Sequence, residues 1–172
     1  MLWQKYSFKN TKKKFIFDAI YNDIKMKLPK YPLTSGDDLM TFEFISEGPK
    51  GRIPKLVQFT PTNLKGLYIL AFGDKDNLTG QIDDLVISNN GDSEKVLATV
   101  VATVYAFTDK YPGTWIYAIG STEARTRLYR MGISKYLSEV KNDFEILGET
   151  NDDWESFRKN TDYDGFFVRR KK

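Results

Sequence analysis

The chain has 172 residues with no cysteine, no histidine and a net charge of +3, a length suited to one domain that buries roughly two-thirds of its unfolded surface. Without histidine or cysteine there is no Ser-His-Asp or Cys-His catalysis, no disulfide, and almost no ordinary zinc site. Any chemistry must use carboxylates, Lys, Tyr, Arg, backbone dipoles or an oxygen-ligated metal.

Ten Tyr, twelve Phe and three Trp supply a core of large side chains, which argues against disorder. No stretch approaches the roughly 20 apolar residues of a membrane span, and the start Met1-Leu2-Trp3-Gln4-Lys5 lacks the apolar core of a secretory signal. A cytoplasmic protein with no membrane partner is expected.

In chain order, Gln4 to Lys9 and Lys14 to Ile20 read as a first hairpin across Asn10-Thr11-Lys12-Lys13, and 21–38 as irregular, broken by Pro29 and Pro32. Met40 to Ser46 alternates, and Arg52 to Thr60 follows a Gly48-Pro49-Lys50-Gly51 reversal, so these two form the clearest hairpin. Pro54 restricts its strand to an edge or a bulge. Gly66 to Gly73 and Gln81 to Ile87 form another hairpin in a mostly antiparallel, meander-like sheet.

The period then changes. Val96, Leu97, Val100, Val101, Val104 and Tyr105 recur at helical spacing from an Asp92 or Ser93 cap to the stop at Tyr111-Pro112-Gly113. An apolar strand, Thr114 to Ile119, runs through Gly120-Ser121-Thr122 into a helix whose Ala124, Leu128 and Met131 are expected to face the sheet. Gly132 is expected to end or kink that helix, with Ser134 capping another short one that carries Ile133, Tyr136, Leu137 and Val140. Phe144 to Gly148 and Trp154 to Phe157 flank a polar turn, and Asp164 to Val168 is a last extended segment. The fold class is α+β: a single domain over 1–172, with a twisted, mainly antiparallel sheet and a long buried helix and an arginine-bearing helix packed on one face.

Three groups of residues could carry chemistry. Gly120, Ser121 and Thr122 place free amides and hydroxyls at a helix start, and Arg125, Arg127 and Arg130 follow, a pattern suited to a phosphate or a nucleic-acid backbone. Tyr129 among them is the candidate for orienting or polarising a reacting hydroxyl. The competing reading is an ordinary capped helix with a charged face. Asp74 and Asp76 are weak candidates for Mg²⁺ or Ca²⁺, since their spacing does not match a calcium loop and acidic turns have local backbone causes. The end, Tyr163, Phe166, Phe167, Arg169, Arg170, Lys171 and Lys172, combines aromatics and cations, which can stack bases, but core packing with a solvated tail explains it as well.

Ser46-Glu47-Gly48-Pro49-Lys50-Gly51-Arg52-Ile53, Asn89-Asn90-Gly91-Asp92 and Gly120-Ser121-Thr122 with Ala124-Arg125-Thr126-Arg127-Leu128-Tyr129 together resemble a family of uncharacterised bacterial proteins, a domain of unknown function, from about residue 40 onward. That resemblance implies no activity, cofactor or catalytic residue. It associates the chain with loci of the toxin–antitoxin or defence type.

Two function classes follow. The first is a nucleic-acid- or phosphate-binding module, in its catalytic form a histidine-independent, toxin-like ribonuclease in which Arg125, Arg127 and Arg130 hold phosphates. The alternative is a non-catalytic module that acts with a cognate protein partner, motivated by the lack of a complete catalytic constellation. An acyltransferase ranks third, because a turn leading into a helix can hold pyrophosphate but no glycine pattern of that kind is present. The pairing of the arginines discriminates: guanidiniums held internally favour the second class, and guanidiniums converging on an open cleft favour the first.

Overall fold

A computed structural model describes residues 28–83, 86, 88–151 and 153–172. The hairpin read at residues 4–20 lies outside the described residues.

Among the described residues, nine strands form one open sheet in the order β1-β2-β3-β4-β6-β9-β7-β8, with β5 also pairing β4. The strands are β1 (Thr34–Ser35), β2 (Thr41–Gly48), β3 (Gly51–Pro61), β4 (Leu67–Lys75), β5 (Ile82–Asp83), β6 (Trp115–Ala118), β7 (Phe144–Glu149), β8 (Trp154–Ser156) and β9 (Phe166–Arg170). Two 18-residue helices join them, α1 (Ser93–Lys110) between β5 and β6, and α2 (Glu123–Val140) between β6 and β7. The mixed, mostly antiparallel sheet and the two helices are the expected α+β class.

Strands β2 to β4 form the expected meander, and β1 adds a short edge strand within 21–38, a stretch expected to be irregular. Beyond them the order departs from a meander. Strand β6 runs parallel to β4, reached through α1. Strand β9 inserts antiparallel between β6 and β7, which makes β6 and β7 parallel to one another with α2 as their crossover. Parallel strands require a long connection, and the two helices supply it.

Alternation on the strands sets the core. Phe42, Phe44, Val57, Phe59, Leu70, Ile116 and Phe166 are buried at every second position of their strands and meet Val100, Ala106 and Phe107 of α1 and Tyr129 of α2. Phe59 stacks on Phe107 with centroids 4.1 Å apart, and Tyr68 meets the same ring edge-on at 4.9 Å. Ala98, Ala102 and Ala106 are all buried, so α1 approaches its neighbours closely along that line. Burial offsets the modest helix propensity of its valines.

Pro54 is tolerated inside an interior strand for a local reason. It pairs with Ile45 of β2, but the β3–β4 register begins only at Lys55↔Asp74. At Pro54 the strand is therefore an edge on the β4 side, where its missing N–H interrupts no ladder.

Two expectations about the arginine helix are corrected. Gly132 neither ends nor kinks it: α2 runs unbroken from Glu123 to Val140. The glycine sits where the helices touch, since a Cβ there would lie 3.0 Å from Leu97 Cδ2. The buried face is also different. Ala124 and Met131 are exposed, and Arg125, Tyr129, Gly132, Tyr136 and Val140 point inward. Because the helix is continuous, the apolar stripe of its second half fixes the rotation of the first half, and i, i+4, i+7 from Arg125 falls on that stripe.

Candidate ligand-binding site

The parallel pair β4–β6 is short. Its register ends at Leu70↔Ala118, whereas β4 continues to Lys75 and pairs with β5 only at Asp74 and Lys75. In the interval between them, the buried Tyr129 hydroxyl of α2 lies beside the Phe72 backbone. At the carboxyl end of β4, in the crevice where ligands enter open sheets with parallel strands, lies a cavity of about 320 Å³. Strand β4, Val86, residues 88–90, Asp92, the first turn of α1 and the buried face of α2 wall it.

Its floor is a buried ionic group. Lys55 and Asp74 are cross-strand partners in register and form an ion pair, with Lys55 5% and Asp74 8% exposed. Ser88 closes the group: its hydroxyl donates to Asp74 Oδ1 at 2.9 Å and accepts from Lys55 Nζ at 2.6 Å. An ammonium has three N–H donors, and Asp74 and Ser88 take two of them. The third belongs to a nearly fully buried group on the cavity wall.

The second wall is the start of α1. Asp92 occupies the N-cap position but makes no side-chain cap. Its Oδ2 instead accepts from Tyr31 Oη at 2.7 Å and Ser46 Oγ at 2.6 Å. Burial pushes the Tyr31 phenol up, and the carboxylate of Asp92 adds to that. The first amides of α1 are therefore left without a side-chain acceptor at the cavity's edge, with the positive end of the helix dipole behind them.

Asn90 fastens this loop to the β2–β3 turn. Its Nδ2 donates to Ser46 Oγ and to the Gly51 carbonyl, both at 3.0 Å, and its Oδ1 accepts from the Lys50 amide at 2.8 Å. Gly48 is required there because a Cβ would lie 1.9 Å from the Asn90 carbonyl oxygen. Two of the sequence motifs, 46–53 and 89–92, are thus the two sides of one joint.

Arg125 forms the third wall. It is 7% exposed, and its guanidinium donates to Ser121 Oγ at 2.8 Å, to the Asp83 carbonyl at 2.7 Å and to the Val86 carbonyl at 2.9 Å. One planar fork thereby ties the entry to α2 to the segment after β5. Tyr129, one turn further on, is buried. Burial pushes its phenol up, against the smaller opposing effects of the Arg125 charge and the Phe72 amide, so the hydroxyl stays protonated at neutral pH.

The arginines separate. Arg125 faces this cavity, whereas Arg127 and Arg130 line an open cleft of about 740 Å³ on another side of α2, together with Gly120, Ser121 and Thr122. That cleft also carries Glu123, Asp162 and Asp164, three carboxylates against two guanidiniums. Arg130 is ion-paired with Asp162. The polar groups of the turn are engaged locally: Gly120 N donates to Thr126 Oγ1 at 3.1 Å, and Thr122 Oγ1 caps α2 by accepting from Arg125 N at 3.3 Å. Gly120 is glycine for close approach, since a Cβ would lie 2.3 Å from the Thr126 amide nitrogen.

Asp76 is a partly exposed residue at the start of a turn, whose carboxylate accepts from the Thr79 and Leu78 amides, and these bonds hold it below the usual carboxylate range. Among the described residues, no group of three or more acidic side chains is arranged to hold a metal ion. The basic end is tied down. Phe166 and Tyr163 are core, Arg169 pairs with Glu145, Arg170 pairs with Asp109 over the Tyr105 ring, and Lys171 donates to the Lys141 carbonyl.

Sequence reading missed Lys55, Ser88, Asn90 and Asp92 as site residues. A signal for Lys55 existed: it shares the strand phase of Val57 and Phe59, which places a charge on the buried face. No helix among the described residues is long and apolar enough to cross a membrane. No curated protein and no solved structure matches the chain. Residues 27–171 match a family described as a family of unknown function (DUF6934), and the chain belongs to that family.

Proposed function

We propose that the protein binds a small anionic ligand, of the phosphate-monoester or pyrophosphate class, in the cavity at the carboxyl end of β4. The observation that carries this reading is the Lys55 ammonium, nearly fully buried on the cavity wall with a third N–H beyond its bonds to Asp74 and Ser88. The amides at the start of α1, left without a side-chain cap, support it. Two cations, Lys55 and Arg125, and two carboxylates, Asp74 and Asp92, line the cavity and cancel formally, so the helix terminus decides the sign of the local field. The volume suits a small molecule and excludes a nucleic-acid strand. The open cleft beside Arg127 is the less suitable anion site, because its acids outnumber its cations.

The test is titration with inorganic phosphate, pyrophosphate and a ten-nucleotide RNA, followed by calorimetry. Pyrophosphate is expected to bind the wild type, and Ser93→Asp is expected to abolish binding by placing a carboxylate at the α1 terminus, where it also suits the helix dipole and preserves folding. Binding that survives Ser93→Asp but disappears in Arg127→Ala would move the site to the open cleft. RNA binding without pyrophosphate binding would overturn the reading.

A further inference from the structure

Behind the polar cavity lies a second one. It occupies about 90 Å³ between the two helices and the sheet, and its lining is apolar, including Leu70, Val100, Ala118, Ile133, Ile146 and Val168. Leu97 and Tyr129 line both cavities, so the two are neighbours across one wall of two side chains. Gly132 lines it at the point where α2 lies close against Leu97 of α1.

Its lining presents almost no polar atoms, so an alkyl chain seated there would gain dispersion contacts without displacing any hydrogen bond. Close packing elsewhere in the core makes the gap notable: Phe42, Phe107 and Ile116 are completely buried a short way along the same sheet. The polar chamber has a cation with a donor to spare, and the apolar chamber has none. Taken together they describe one ligand with two unlike ends.

We propose that the natural ligand is an acyl or alkyl derivative of an anionic head group, its head against Lys55 and the start of α1 and its short chain passing between Leu97 and Tyr129 into the apolar cavity. This inference rests on the anion site proposed above and adds the substrate class. An engineered apolar cavity of roughly 150 Å³ accepts benzene, so the smaller one here suits a chain of about three to four carbons.

The experiment measures affinities for inorganic phosphate, n-butyl phosphate, n-hexyl phosphate and 1-butanol by calorimetry on the full chain. Butyl phosphate is expected to bind tenfold or more tighter than phosphate, since each buried methylene is worth roughly fourfold, and hexyl phosphate to add little more. Ala118→Val, which adds two methyl groups at a strand position lining the cavity, is expected to remove the chain-length gain and leave phosphate affinity unchanged. Ile133→Val, which enlarges the cavity by one methylene, is expected to restore a gain for hexyl over butyl phosphate.

Equal affinity for phosphate and both alkyl phosphates in the wild type would overturn the inference and leave the anion site standing. A chain-length gain that persists undiminished in Ala118→Val would also overturn it. Binding of 1-butanol without binding of any phosphate would overturn the anion site, while supporting the apolar chamber.

Discussion

Replacing Lys55 by Met tests whether the floor of the cavity is an ionic group held by burial. Lys55 and Asp74 face each other in register on β3 and β4, both more than nine-tenths buried, and among the described residues Ser88 contributes the other side-chain hydrogen bond to the Asp74 carboxylate. Met keeps the length and apolar stem of lysine but leaves a carboxylate with one neutral donor in a nearly dry site. Breaking a buried pair in this way costs about 3–5 kcal/mol, most of it the desolvation of the stranded partner. With a urea m-value of about 2 kcal/mol/M, the midpoint should fall by roughly 1.5–2.5 M. The double variant Lys55→Met with Asp74→Asn removes the stranded charge and should recover more than half of that loss. Urea melts of the four proteins in this cycle measure it. A single-variant loss under about 1 kcal/mol, or a double variant as unstable as the sum of the singles, would refute the assignment of a tightly coupled internal pair.

Arg125→Lys should destabilise by about 2–4 kcal/mol in the same melts, because an ammonium cannot span Ser121 Oγ and the two carbonyls that the guanidinium fork reaches. Arg127→Ala, at an exposed position on the same helix, should stay within about 0.5 kcal/mol. Gly120→Ala should cost about 1–3 kcal/mol, read as a melting temperature lower by roughly 3–10 °C, since its methyl would meet the backbone of α2 and no flexible side chain can yield. Alkaline titration should expose Tyr129. Its native phenol is raised above the ordinary 10.0, chiefly by burial, so above pH 10 the unfolded chain releases a proton that the native state keeps. Stability is thus intact below pH 10 and falls as the pH rises beyond it. Tyr129→Phe should reduce that fall by about 1 kcal/mol in melts between pH 10 and 11, and an unchanged slope would count against a buried, protonated phenol.

Local pattern carried most of the elements. The alternation of Phe42, Phe44 and Ser46 and of Val57 and Phe59 marks strands with one buried face, and the valine and alanine spacing from Val96 to Ala106 marks a helix, because these periods are properties of the backbone itself. The turn at Gly48 to Gly51 and the stop at Tyr111 to Gly113 are equally local. The site was less legible. The run of three arginines reads as one cluster in sequence, yet a helix turns 100° per residue, so Arg125 faces one cavity while Arg127 and Arg130 face another cleft.

The amino-acid sequence by itself determined the α+β class, the long helix from Ser93 to Lys110 and the exclusion of histidine and cysteine chemistry, since composition and short-range periodicity need no partner to be read. Only the tertiary structure decided that β9 enters between β6 and β7, that α2 rotates Arg125 and Tyr129 inward, and that Lys55 meets Asp74 and Ser88 beneath the uncapped start of α1. The reason is range: each of these depends on residues from separate strands and helices competing for the same buried surface and the same few hydrogen-bonding groups, and no window along the chain contains both sides of that competition.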